Sequence, residues 1–242
     1  MNALFSSEML IGICLFAASA SLRADPLDRW PSGNLSPETN HFKAVARGHG
    51  TFVAVGPGAD ICSSSNGVSW TQRDSGTPFS LYAVAYGNGL FVAVGNEGAL
   101  VTSADGIQWT LRDSRTDERL RGIAHADGVF VAVGYAGTIL TSSDGTHWTR
   151  RDSGTEERLQ GIAFGRGTFV AVGWKGVVLS STNGTRWTAR HSGVSARLHS
   201  ITHRDGLFLA SGCNGLTMVS NNGYIWSDQK CQTRRIVMQP LR

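Results

Sequence analysis

The stretch VFVAVGYAGTILTSSDGTHW at residues 129–148 recurs with variation four more times in this chain, always at an interval of 39 residues. Its last residue marks the interval, which holds without insertion or deletion at Trp70, Trp109, Trp148, Trp187 and Trp226. A period near 40 residues, with short apolar runs between glycine-rich turns, is typical of a β-propeller in which each repeat forms one blade. The sequence therefore predicts an all-β fold, a five-bladed β-propeller built from five 39-residue repeats.

Each repeat ends in a polar turn with the pattern Ser-x-Asp/Asn-Gly-x-x-Trp. The Asp or Asn side chain can accept backbone N–H bonds and close the turn, and the glycine permits a left-handed backbone. The tryptophan ring can bury a large apolar area between blades. We predict a structural role for the five tryptophans and for the turn residues Asn66, Asp105, Asp144, Asn183 and Asn222.

Five such turns at constant spacing resemble the BNR or Asp-box repeat family, and the resemblance covers residues 42–226. Within that family, the short blades are most similar to the propellers of photosystem II assembly and stability factors and to their uncharacterised bacterial relatives. The resemblance implies a scaffold that binds another protein and has no enzymatic activity.

The first 20 residues predict export. Residues 9–20 form an apolar run that is short for a membrane-spanning helix, and Ala18-Ser19-Ala20 fits a signal-peptide cleavage site, although residues 1–8 lack Lys and Arg. We predict a signal peptide at 1–20, an N-terminal segment at 21–41, the propeller at 42–232 and a tail at 233–242. The expected location is a periplasm, a compartment like the thylakoid lumen or the cell exterior. Either residues 28–34, around Trp30, or the tail could supply a strand that closes the ring.

Export would permit a disulfide. Cys213 and Cys231 replace turn-type residues at the two ends of one repeat, which should share a face, so we predict that they form a bridge. Cys62 stands where other repeats have Val101 or Leu140 and is expected to be a small apolar side chain. No Cys/His spacing indicates a metal site, and no motif indicates a cofactor.

The net charge of +4 is spread along the chain. Nucleic-acid binding would favour a concentrated basic stripe, so we predict no nucleic-acid partner. Beyond the signal peptide no segment has the length of a membrane span, and we expect a monomer.

The candidate binding residues lie where the repeats differ. Two variable places should share one face: the turn between the second and third strands, and the connection into each first strand. Together they predict a surface containing Glu97, Arg119, Tyr135, Arg158, Trp174, Lys175 and Arg197. Arginines beside exposed aromatic rings suit a protein or a glycan partner. Alternatively, Arg119 and Arg158 pair with Glu118 and Glu157 and only keep the rim soluble.

The predicted function is therefore an exported, non-enzymatic, protein-binding propeller. The alternative is a glycan-binding or glycan-cleaving propeller, sialidase-like or otherwise. Glycoside hydrolysis needs two carboxylates about 5–9 Å apart, and Asp60 and Glu97 are the acids that break the repeat near the second turn.

Overall fold

A computed structural model describes residues 42–228. They form five antiparallel sheets, each made of four strands consecutive in the chain and paired in chain order. The strands, blade by blade, are β1 (Ala44–Gly48), β2 (Thr51–Val55), β3 (Ile61–Ser64) and β4 (Thr71–Arg73); β5 (Leu81–Gly87), β6 (Leu90–Gly95), β7 (Leu100–Ser103) and β8 (Thr110–Leu111); β9 (Leu120–Ala126), β10 (Val129–Gly134), β11 (Ile139–Ser142) and β12 (Thr149–Arg151); β13 (Leu159–Gly165), β14 (Thr168–Gly173), β15 (Val178–Ser181) and β16 (Thr188–Arg190); β17 (Leu198–Arg204), β18 (Leu207–Gly212), β19 (Thr217–Ser220) and β20 (Ser227–Asp228).

The five sheets are the blades of a propeller, which confirms the predicted fold. The first strand of each blade is the innermost, and it packs beside the first strand of the next blade along the chain. Within residues 42–228, β17 and β1 make no contact of comparable extent. Helical structure in the same residues is limited to single 3-10 turns, at Pro57–Ala59, Asn96–Gly98, Trp174–Gly176 and Cys213–Gly215.

The core consists of layers between neighbouring blades. Side chains alternate along a strand, so in β10 Phe130 and Ala132 pack against the preceding blade, whereas Val131 and Val133 pack against the following one. All four are fully buried. This arrangement explains why the second strand of every repeat is apolar on both faces.

The polar turns form as predicted, and they determine where the fourth strand of a blade begins. The fourth strand of the third blade begins at Thr149, because the backbone N–H groups of Thr146 and His147 donate to the Asp144 carboxylate within the turn. The first strand of that blade, β9, extends to Ala126, directly before the first hairpin.

The strand order places the connections at two opposite ends of the blades. The 3-10 turns and the connections into each first strand lie at one end, and the polar turns and first hairpins lie at the other. The predicted binding residues and the predicted structural turns are therefore on opposite faces.

Three predicted segments fall outside the described residues: the signal peptide at 1–20, the N-terminal segment at 21–41 and the tail at 233–242. Over residues 42–228, no helix has the length and apolar character needed to cross a membrane.

Candidate functional site

Backbone hydrogen bonds attach each variable turn to the start of the first strand of its own blade. The N–H of Tyr135 donates to the carbonyl oxygen of Arg119 at 2.9 Å, and that of Trp174 donates to Arg158 at 2.9 Å. The same bond joins Cys213 to Arg197 at 3.1 Å. The aromatic residue at the turn is thus held beside the arginine at the strand entry.

The structure assembles these residues into an alternating stack of guanidinium groups and aromatic rings that crosses four blades. We call this surface the arginine–aromatic ladder. Its distances from guanidinium carbon to ring centroid, in order along the surface, are Arg121–Tyr82 4.4 Å, Arg119–Tyr82 5.7 Å, Arg119–Tyr135 5.2 Å, Arg158–Tyr135 4.5 Å, Arg158–Trp174 4.2 Å and Arg197–Trp174 3.9 Å.

The ladder has four cationic groups and no carboxylate of its own. No ion pair recorded within residues 42–228 involves Arg119, Arg158 or Arg197, so the alternative in which they pair with Glu118 and Glu157 is not observed. Glu157 instead pairs with Lys175, at 2.6 Å between Nζ and Oε1. Of the predicted binding residues, Lys175 is thus already neutralised.

Glu97 lies at the exposed tip of the corresponding turn in the second blade, with a φ of 49°. Its side chain joins neither the ladder nor an ion pair within the described part of the chain. Asp60 is half-buried in the first blade, where its Oδ1 lies 3.4 Å from the Gln72 amide nitrogen.

The ladder changes the ionisation of its neighbours. Burial opposes ionisation of the Tyr135 phenol, but hydrogen bonds from Arg119 and Gln160, with the charges of Arg121 and Arg119, outweigh it and lower the pKa of Tyr135. The pKa of His199 is lowered by burial and then by the charges of Arg197 and Arg121. His199 is therefore neutral at neutral pH, and the positive charge of the surface comes from the arginines.

Two ladder atoms lack a hydrogen-bond partner. The Nε of Arg121 and the indole Nε1 of Trp174 are buried, and neither donates a hydrogen bond to an acceptor within residues 42–228. Buried donors are ordinarily satisfied, so these two nitrogens are unusual features of the ladder.

Tyr82 and Arg121 complete the ladder, although neither is among the predicted binding residues. Tyr82 occupies the repeat position of Arg121, Gln160 and His199. Comparing that position across all five blades would have placed an aromatic ring beside the arginines. The predicted set was otherwise brought together, apart from Glu97 and Lys175.

The predicted structural residues lie in the polar turns at the opposite end. Asp144 Oδ1 accepts from two backbone N–H groups at 2.8 Å, and Asn66, Asp105, Asn183 and Asn222 accept equivalent pairs. Four of the five tryptophan rings, those of Trp109, Trp148, Trp187 and Trp226, pack in the layers between blades. Among the five, Trp148 alone is fully buried, at 3% exposure. The other four are half-buried.

The predicted disulfide involves a residue outside the described chain. Cys213 is half-buried, with its Sγ 3.1 Å from His199 Nε2, but Cys231 lies beyond residue 228. The bridge therefore stays a prediction. Residues 42–228 contain no group of three or more His, Cys, Asp or Glu side chains arranged to hold a metal ion.

No family model matches the sequence, and no curated protein does. The matching solved structures include "YCF48 bound to D1 peptide", at 21% identity and a TM-score of 0.59 over 77% of this chain and 66% of that one. YCF48 from Cyanidioschyzon merolae is 16% identical, with a TM-score of 0.59 over 78% and 72% of the two chains. A computationally designed protein, Ika8, is 14% identical, with a TM-score of 0.61 over 78% and 61%.

These comparisons define the class of this protein as a β-propeller. At such low identities they show the fold alone, and the chain spans just under two thirds of the first YCF48 structure. The resemblance of the polar turns to the BNR or Asp-box family remains a prediction.

Proposed function

We propose that this protein is an exported, non-enzymatic propeller that binds a protein partner through the arginine–aromatic ladder, as an assembly or stability factor does. The observation that supports the proposal most directly is the ladder itself: four guanidinium groups held in a row, without a carboxylate partner among the described residues. Arginine and aromatic side chains are the residues that most often dominate protein interfaces.

The chemistry of the ladder favours a partner that supplies carboxylate oxygens. Each of its three rings already has two guanidinium groups over it. Little ring surface is left on which a sugar or a nucleobase could stack, whereas the N–H groups of arginine match carboxylates in a bidentate geometry. An extended acidic segment of a protein fits this surface best. One solved neighbour, YCF48, is described as bound to the D1 peptide, which is a precedent for peptide binding by this fold.

The test uses immobilised extended acidic peptides, matched peptides with Gln and Asn in place of Glu and Asp, a glycan array and a single-stranded oligonucleotide. We expect the protein to bind acidic peptides in preference to the other three probes. Replacing both Arg158 and Arg197 with alanine should weaken binding, slow association and flatten its salt dependence, because complementary charge acts mainly on encounter. Arg150→Ala is the matched control, since Arg150 is an exposed arginine on the outer strand β12. It should change little.

Three outcomes would contradict the proposal. One is acidic-peptide binding that survives loss of both arginines, and another is selective binding of glycans or of the oligonucleotide. The third is hydrolysis of a glycoside that disappears in Asp60→Asn and Glu97→Gln, which would make the protein an enzyme.

A further inference from the structure

Consecutive blades share four similar interfaces, but one face of the first blade has no neighbour among residues 42–228. Phe91, Phe130, Phe169 and Phe208 each point toward the preceding blade and are essentially fully buried. Phe52 occupies the same repeat position in the first blade and is only half-buried. Cys62 beside it is also half-buried, whereas Val101, Leu140, Leu179 and Met218 at its repeat position are fully buried. We call this surface, formed by Phe52, Cys62, Gly67 and Trp70, the outer face of the first blade.

The space around the polar-turn glycines also distinguishes the first blade from the other four. A Cβ at Gly145 would lie 2.7 Å from Leu90 Cδ2 of the preceding blade, and a Cβ at Gly106 would lie 2.8 Å from Val53 Cγ2. Gly184 and Gly223 are equally crowded by the blades before them. At Gly67 the nearest atom belongs to Phe52 of its own blade, at 3.7 Å. Among residues 42–228, the polar-turn glycine of the first blade therefore lacks the side chain from a neighbouring blade that packs on it in the other four blades.

The fifth blade, whether of this chain or of a second copy, does not suit the outer face of the first blade. At three of the four internal interfaces an aromatic ring rests on a glycine of the preceding blade, and at the other the equivalent residue is the small Ala126. Tyr86 on Gly48 is one example, and the ring leaves no room for a Cβ. At the two ends of the array both positions hold arginine. Arg47 of the first blade stands at the position of the aromatic ring, and Arg204 of the fifth blade stands at the position of the glycine. Joining the ends in the internal geometry would press two cations together, a device that discourages unwanted pairing.

We propose that residues 21–41 of the same chain cover the outer face of the first blade. The chain enters the blade at Phe42, whose ring centroid lies 6.3 Å from that of Trp70 on this face. Twenty-one residues can span roughly 70 Å when extended, and a four-stranded blade is only about 20 Å wide. A covalently attached segment also has an effective concentration that a separate molecule rarely reaches.

The composition of this segment matches the face. Apolar residues of the segment, among them Leu27, Trp30 and Leu35, suit the half-buried rings of Phe52 and Trp70. Its acids suit the exposed cations Lys43 and Arg47. These acids are Asp25, Asp28 and Glu38, and together with Arg23 and Arg29 they give the segment a net charge of −1. The other segment outside the described residues, 229–242, contains four Lys or Arg and no acid, so it would add like charge.

Cys62 provides a reporter in the full chain, because the described residues leave its side chain half-exposed. Thiol labelling, quantified at the Cys62 peptide by mass spectrometry, should be slow in the native protein and independent of protein concentration. Trp30→Ala should accelerate it several-fold without changing labelling at Cys213. Ile236→Ala, in the tail, is the matched control and should have no effect. Fast labelling of the native chain, protection that grows with concentration, or protection unaffected by Trp30→Ala would each overturn the proposal.

Zero-length carbodiimide cross-linking gives a second readout that does not depend on a destabilised variant. In the unmodified protein, the Lys43 amine should form an amide with a carboxylate of residues 21–41 of its own chain. Cross-links found only between chains would instead identify a second copy as the occupant. Exclusive cross-linking of Lys43 to acids of the propeller would likewise contradict the assignment.

Discussion

At Asp144, one carboxylate oxygen accepts the backbone N–H groups of Thr146 and His147, and the other lies 2.7 Å from the His147 ring. These contacts, led by the backbone N–H of His147 and then its side chain, hold the pKa of Asp144 well below its usual range. Folding therefore favours the ionised form. The stabilisation is present above the unfolded-state pKa of about 3.9 and is lost as the pH falls toward the folded-state value.

Two substitutions at Asp144 separate the charge from the hydrogen bonds. Asp144→Asn keeps an acceptor, as Asn66 and Asn183 do naturally, so at neutral pH it should cost less than Asp144→Ala. We expect the alanine variant to lose about 1–2 kcal/mol of unfolding free energy. Denaturant unfolding across acid pH should show a smaller loss of stability for Asp144→Asn than for the wild-type protein. Equal losses for both variants at neutral pH would show that the hydrogen bonds are not what stabilises the turn.

For single residues, the sequence predicted which side chains share a face but not which of them are in contact. The repeat comparison selected Arg119, Arg158 and Arg197 because an arginine recurs at one position. Spacing alone could not reveal that their guanidinium groups lie over rings of neighbouring blades, since this depends on the rotation between blades. The pairing of Lys175 with Glu157 was missed for a different reason: the two residues are 18 positions apart within one blade, and the turn at Trp174–Gly176 brings them together.

At the scale of the element, the polar turn is also a packing device. Gly145 has a φ of +75°, and a side chain there would collide with Leu90 and Val92 of the preceding blade. The sequence predicted the left-handed backbone from the Asp-Gly pair. It could not predict the close approach of the second blade, which makes the absence of a side chain necessary.

A pair of glycine substitutions measures this packing. Gly145→Ala and Gly128→Ala place alanine at nearly equal φ, +75° and +77°, but only at Gly128 is there no atom within 4 Å. Both variants should lose about 1–2 kcal/mol for the left-handed backbone. Gly145→Ala should lose about 1–3 kcal/mol more, because an overpacked interface must adjust. Thermal unfolding would measure the difference, and equal melting temperatures would show that the interface yields freely.

At the scale of the whole molecule, the period of the sequence was enough to predict the number of blades and the place of every turn. The period makes all five repeats look equivalent, but in the structure equivalent residues differ in burial. Phe52 and Phe91 occupy the same repeat position, yet one is half-exposed and the other fully buried. Burial depends on whether a neighbouring blade exists, and that property belongs to the assembled array rather than to any repeat.

The pairing of strands within single repeats has a mechanical consequence. Since all four strands of each described sheet come from one repeat, no described strand pairs with a strand of another blade. The blades are joined by side-chain layers and by a few hydrogen bonds, such as that from the Gly98 N–H to the Glu118 carbonyl oxygen at 3.1 Å. Tension applied between residues 42 and 228 should therefore extract blades one by one, beginning with the end blades, which have a single neighbour. Optical-tweezer traces should show repeated lengthening steps of 39 residues each, or roughly 130 Å at about 3.4 Å per residue. One rupture that releases the full length would show instead that the side-chain layers bind the blades into a single mechanical unit.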